Sequence, residues 1–183
     1  MNFIALLNTD YKKYKKYGGN FITIFFFTQG FWAIFQYRIA HFCYQLKIPI
    51  LKPLLLLLCL IWQKVIEFTT GISIPASAEI GHSFYIGHFG GIILNAKSKI
   101  GDNCNISQGV TIGVSGNGAK RGVPSIGNHV YIGANTVVAG AISVEDYALL
   151  GACSLVTTDV ASHSVMLGVP AVKISDKGSH GYI

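Results

Sequence analysis

Only four cysteines occur in this chain, Cys43, Cys59, Cys104 and Cys153, and they form no C-x-x-C pair and have no paired-histidine pattern beside them. That excludes the usual zinc frameworks, and no metal is expected. Reduced thiols in a cytoplasmic protein are the default reading. Charge is scarce too, since Asp, Glu, Lys and Arg together make only 12% of the residues. No nucleic-acid-binding motif accompanies the formal charge of +6, so no nucleic-acid partner is expected. The opening MNFIALLNTD has neither a basic n-region nor a small-residue cleavage site, and no signal peptide is read there.

Apolar residues and glycine dominate instead, at 51% hydrophobic with 21 glycines. A length of 183 residues suffices for one good core with a small appendage. The positive charge is uneven: Lys12, Lys13, Lys15 and Lys16 crowd together beside Tyr11, Tyr14 and Tyr17. Such a cluster next to apolar sequence suits an anionic membrane surface, and it equally suits a solvated basic turn.

Two regimes meet near Gly71. Residues 1–70 read as an apolar helical region, 71–173 as a β domain and 174–183 as a tail. The stretch 17–37 is free of charge and long enough to span a bilayer, but Gly18, Gly19, Asn20, Thr28, Gln29 and Gly30 dilute its hydrophobicity. The uncharged run at 53–63 is too short to cross. A helical subdomain that touches the membrane surface or packs on a partner subunit is the expectation.

From residue 74 onward an internal repeat takes over. Aliphatic residues fall at Ile74, Ile80 and Ile86, then at Leu94, Ile100, Ile106 and Ile112, and again at Ile126, Ile132, Val138, Val144, Leu150 and Val156. Four positions after many of these stands a small or medium residue: Ala78, Ser98, Cys104, Val110, Thr136, Ala148, Ser154. A six-residue period fits neither a helix nor a two-period hairpin. It fits short strands, three to a coil, stacked as a parallel β-helix.

The repeat breaks twice, and on a solenoid breaks are where function concentrates. The first break lies between Ile86 and Leu94 and contains His88, which predicts an extruded turn. The second is the glycine-rich excursion 113–125. Counting along the coils, both are expected to overhang one neighbouring face.

The segments GFWAIFQYRIAHF (30–42), IGHFGGIILNAKSKIGDNCNISQGVTIG (86–113), IGANTVVAGAISV (132–144) and GVPA (168–171) resemble the serine O-acetyltransferase branch of the hexapeptide-repeat acyltransferases. The resemblance implies a left-handed parallel β-helix, a mainly β fold that departs from the usual right-handed crossover. It also implies trimers or dimers of trimers, with acetyl-CoA in clefts between neighbouring β-helices. By resemblance His88 is the general base. Gly113, Gly133, Ala134, Gly151 and Ala152 are expected along the acetyl-CoA site, and Lys120, Arg121 and Lys173 are candidates for its phosphates by charge alone. Ser73, Gly87 and His82 are placed toward the acceptor.

The departures matter as much. Where the family has an aspartate that orients the base, this chain has Ser73; the aspartate before the histidine is Gly87. A glutamate becomes Ala96, and an Arg-His pair falls on Gly122 and Val123. An amino-acid acceptor carries a carboxylate and an ammonium, and a site holds these with opposite charges. Their loss, together with the apolar helices, points to the subgroup that acetylates a sugar hydroxyl of a surface polysaccharide or its precursor. Serine O-acetylation in cysteine biosynthesis is the alternative, and a non-catalytic β-helix scaffold is a third possibility. The expected location is cytoplasmic, at or near the inner face of the cell membrane.

The chemistry asked of these residues is modest. A hydroxyl must be deprotonated, and a histidine with its ordinary pKa near 6.5 suits that task, contributing about 10²- to 10⁴-fold. The oxyanion needs donors, and backbone N–H groups beside Gly90, Gly91 or Gly113 can approach closely. Gly133-Ala134 and Gly151-Ala152 stand 18 residues apart, one full coil, and should stack. Cys104 occupies an inward slot and reads as core.

Overall fold

The computed structural model describes residues 2–118 and 121–183. Four helices come first: α1 (Phe3–Lys16), α2 (Phe21–Phe27), α3 (Gln29–Gln45) and α4 (Leu51–Thr70). The charge-free stretch 17–37 is thus not one helix. Asn20 caps α2 in a capping box with Thr23, and extended Thr28 separates α2 from α3. Among the described residues no helix is long and apolar enough to cross a membrane.

Gly71, in the left-handed conformation, ends α4 and starts the coil. The first sheet stacks β1 (Ile72–Ser73), β4 (Ile92–Leu94), β7 (Thr111–Gly113), β10 (Val137–Ala139) and β13 (Leu155–Val156). The second stacks β2 (Glu79–Ile80), β5 (Lys99–Ile100), β8 (Ser125–Ile126) and β11 (Ser143–Val144). The third runs β3 (Tyr85–Ile86), β6 (Asn105–Ile106), β9 (Tyr131–Ile132), β12 (Leu149–Leu150), β14 (Val165–Gly168) and β15 (Ala171–Ser175). All pairings are parallel except β14 with β15, which closes the C-terminal end of the coil. Each coil visits the three sheets in turn, which makes a triangular prism with three corners.

The six-residue period is the inward side of this prism. All thirteen aliphatic positions are buried, from Ile74 to Val156, and the small slots Ala78, Ser98, Cys104, Val110, Thr136, Ala148 and Ser154 are buried with them. Burial pushes the Cys104 thiol up to about 12, so it stays a neutral core group.

The N-terminal edge of the coil would present unpaired strand groups, and the helices cover it. From α3, Tyr37 Oη donates to Ala78 O (2.7 Å) and Arg38 Nη1 to Ile80 O (2.7 Å). From α1, Asp10 Oδ1 accepts from Phe84 N (2.9 Å). Tyr14 Oη donates to Ile86 O and accepts from Ile86 N. Gly30 permits this closeness, because a Cβ there would collide with the Ile86 carbonyl. The tail returns along the prism, where Ser179 Oγ donates to His129 O (2.6 Å) and His180 stacks near Tyr147 and His163.

Candidate active site

His88 sits at the corner where the third sheet turns into the first. Its turn, Gly87–Gly91, is extruded and His88 is exposed. Gly90 and Gly91 both have positive φ, and they cross Gly71 closely: a Cβ on Gly71 would lie 3.1 Å from Gly90 Cα. Gly90 N donates to Thr70 O (2.8 Å) and Ile92 N to Gly71 O (3.0 Å). The glycines around His88 therefore serve to lock its turn against the end of α4. Among the described residues the His88 imidazole has no hydrogen-bond partner within the chain.

Ser73 lies on β1 just past that crossing, beside Ile93 of β4. Its Oγ donates to Glu67 Oε1 (2.7 Å), a residue of α4 that sequence reasoning passed over. Gln63 Nε2 (2.8 Å) and Lys64 Nζ (2.6 Å) donate to the same carboxylate. Partial burial pushes the Glu67 carboxyl up, but the Lys64, Ser73 and Gln63 donors outweigh it and hold it below the ordinary value. A carboxylate thus stands next to the position where the family aspartate falls. No sequence alignment would reveal it, because Glu67 enters from the helix and not from the repeat.

The same corner continues along the prism as a backbone ladder. Gly109 N donates to Gly90 O, Asn135 N to Gln108 O and Cys153 N to Ala134 O, at 2.8 to 2.9 Å. Gly133-Ala134 and Gly151-Ala152 do stack: a Cβ on Gly133 would lie 2.7 Å from Ala152 N. Ala134 is half-buried and Ala152 exposed, so the corner presents small residues in its later coils, with Gln108 between them and His88.

The other sequence candidates lie elsewhere. His82 is at the corner between the second and third sheets, at the opposite end of β3 from His88. There it approaches Asp102 (Nε2–Oδ2 3.3 Å) and Ser83 Oγ (3.0 Å), so the chain does not bring it to His88. Gly87 opens the His88 turn, below Tyr85. Gly113 ends β7 at the corner between the first and second sheets, across the first sheet from His88. The described residues of the second excursion, 113–118 and 121–125, lie at that same far corner, where Ser115 bridges Gly122 and Gly122 packs on Ala141. The two excursions thus border one sheet, the first, from its opposite corners. A six-residue step turns one corner, and the count between them leaves that offset. Lys173 on β15 pairs with Asp176, and Arg121 is exposed. Lys120 lies outside the described residues.

Fold and repeat together define a hexapeptide-repeat β-helix protein. Comparison with known proteins is specific on the family. The chain is 32% identical over 149 residues to the serine acetyltransferase of Synechococcus elongatus, covering 81% of this chain and 58% of that protein. It is 34% identical over 159 residues to the serine acetyltransferase of Bacillus pumilus, covering 87% of this chain and 70% of that one. Among solved structures, a serine acetyltransferase in complex with cysteine superposes with a TM-score of 0.82 at 30% identity, covering 94% of this chain and 70% of that one. A serine acetyltransferase in complex with CoA gives a TM-score of 0.79 at 28% identity, over 94% and 69% of the two chains. No protein-family model matches the chain. The chain belongs to the serine acetyltransferase family, and its coil is the left-handed parallel β-helix of those structures. It spans little more than half the length of the first of these relatives.

Proposed function

We propose that this protein transfers an acetyl group from acetyl-CoA to the hydroxyl of L-serine, with His88 as general base. The observation that carries the acceptor is the Glu67 carboxylate held on Ser73 Oγ at 2.7 Å. It supplies, from α4, the negative charge that the repeat itself has lost. The serine acetyltransferases named above support the same reading. In an assembly with neighbouring β-helices, the Arg121 guanidinium of an adjacent subunit would stand in for the one the family's second loop provides.

In this reading the His88 imidazole takes the proton of the acceptor hydroxyl as its oxygen attacks the thioester carbonyl. The C–O bond forms, the tetrahedral oxyanion is met by backbone N–H groups, and the C–S bond breaks. The imidazolium then returns the proton to the departing thiolate. Glu67 acts through Ser73 as a positioning residue for the base or for the ammonium of the acceptor. The small-residue rail at Ala134 and Ala152 holds the pantetheine arm. A homotrimer, with that rail facing a neighbouring β-helix, is part of the proposal.

One observation favours a second reading, a sugar hydroxyl of a surface polysaccharide. Gly87, Ala96, Gly122 and Val123 stand where the family resemblance places charged residues. A neutral acceptor tolerates the loss of those charges better than a zwitterion does. The test of the shared chemistry is CoA release by the wild type and by His88→Ala. A drop of about two orders of magnitude or more in a correctly folded variant is expected. Near-normal turnover would overturn the assignment, and no turnover by the wild type with any acceptor would leave a scaffold.

A further inference from the structure

The net charge of the protein resides entirely on its helical region. Residues 1–70 hold eight Lys and Arg against two Asp and Glu, while residues 71–183 hold six of each. Neither acid of the helical region is free. Asp10 is buried against Arg38, and Glu67 is engaged by Lys64. Lys12, Lys15 and Lys16 are exposed on α1.

The same region carries a large exposed apolar surface. On α2, Phe21, Ile22, Phe26 and Phe27 face outward, Phe27 at 72% exposure. On α4, Leu54, Leu58, Ile61, Val65 and Phe68 form one exposed stripe at helical spacing, ending in Phe68 at 94% exposure. The two are continuous. A groove lined by Ile4, Leu7, Tyr11 and Phe21 shares Phe25, Phe31 and Phe35 with a second groove that reaches Trp62 and Ile66 of α4. Ile61 and Val65 each precede a lining residue by one position, a turn of about 100° on the helix, so the stripe adjoins the groove. Lys15 lies one helical turn beyond Tyr11 on the groove-lining face of α1, and Lys12 one turn beyond Asn8.

We propose that this face binds an anionic phospholipid membrane as a peripheral anchor. The apolar helix faces would enter the headgroup–acyl boundary, and the lysines at their margin would meet the phosphates. Charge decides against a second copy of the chain as the occupant. Two such faces would bring two clusters of unpaired lysines together, whereas an anionic surface neutralises one. α2, with seven residues, is too short to span and well placed to lie flat. The inference is independent of which acceptor the enzyme acetylates.

The test is flotation of the full chain with phosphatidylglycerol–phosphatidylcholine vesicles and with pure phosphatidylcholine vesicles. The protein is expected to float with the anionic vesicles and not with the neutral ones, and to release as salt is raised. Each of Lys12→Gln, Lys15→Gln and Lys16→Gln should weaken partition about fivefold. Phe26→Ser with Phe27→Ser should abolish it while circular dichroism stays unchanged, since both side chains are exposed. Absence of binding to anionic vesicles would overturn the proposal. So would light scattering in which the two Phe substitutions dissociate an oligomer while the wild type ignores vesicles, because the face would then belong to a second copy.

Discussion

Arg38 and Asp10 form a fully buried ion pair between α3 and α1, with Nε to Oδ2 at 2.8 Å and Nη2 to Oδ1 at 3.2 Å. The remaining guanidinium donors reach Ile80 O and Gly81 O on the coil, so one side chain ties two helices to the prism. Burial pushes the Asp10 carboxyl above its ordinary value even with Arg38 beside it. Arg38→Met would leave that buried carboxyl with the Phe84 N–H but without its counter-charge, and would take the guanidinium donors from two carbonyls. A loss of about 3–5 kcal/mol is expected from removing one partner of such a pair, read from the urea midpoint. A loss within the range of an ordinary surface substitution would contradict the anchoring role.

Lys13 makes a second anchor, donating to Asn103 O (3.1 Å) and to Asn103 Oδ1. Burial lowers its ammonium from 10.5 to about 8. Between those values the unfolded chain binds a proton that the folded chain has released. Stability owed to this residue therefore rises with pH across that window. The difference in unfolding free energy between the wild type and Lys13→Met should shift in favour of the wild type from about pH 8 upward. A flat or falling difference would remove the burial argument.

Glu67 should matter through Ser73. Glu67→Gln keeps the size and loses the charge, and kcat is expected to fall about tenfold or more with a changed pH profile. Adding Ser73→Asp to that variant restores a carboxylate at the repeat position and should recover much of the loss. Equal activity of Glu67→Gln and the wild type across pH would contradict the positioning role.

The rail of small residues gives a binding prediction. Ala152 is exposed, so Ala152→Trp should leave the fold intact while filling the rail beside Ala134. KM for acetyl-CoA should rise about tenfold or more, while melting stays near that of the wild type. An unchanged KM would place the pantetheine arm elsewhere.

The prism was legible because its period is local and its environment uniform. Within each uninterrupted run the chain buries one aliphatic side chain every six residues, and all thirteen positions from Ile74 to Val156 are buried. The extruded turn at His88 was legible as a break in the same count, and the stacking of Gly133 on Ala152 followed from one full coil. What the count could not convey was everything contributed from outside the repeat. Arg38 meets Asp10 across 28 residues and then reaches carbonyls at 80 and 81, contacts with no periodic signature. Glu67 meets Ser73 because Gly71 turns α4 back onto β1, which a linear reading of Ser73 as a lost aspartate overlooks. The break at Thr28 left only the polar Thr28-Gln29 and Gly30 as a mark within a charge-free run. His82 lies one corner away from His88, because on a prism six residues lead to the next corner.

The measurement that tests the account most directly is CoA release at equal enzyme concentration with saturating L-serine and with a panel of neutral oligosaccharides. The account predicts efficient turnover with L-serine, detected as O-acetylserine, that falls sharply in both His88→Ala and Glu67→Gln. Turnover with an oligosaccharide and hardly any with L-serine would contradict it, and would show that the neutral residues at Gly87, Ala96, Gly122 and Val123 set the acceptor instead.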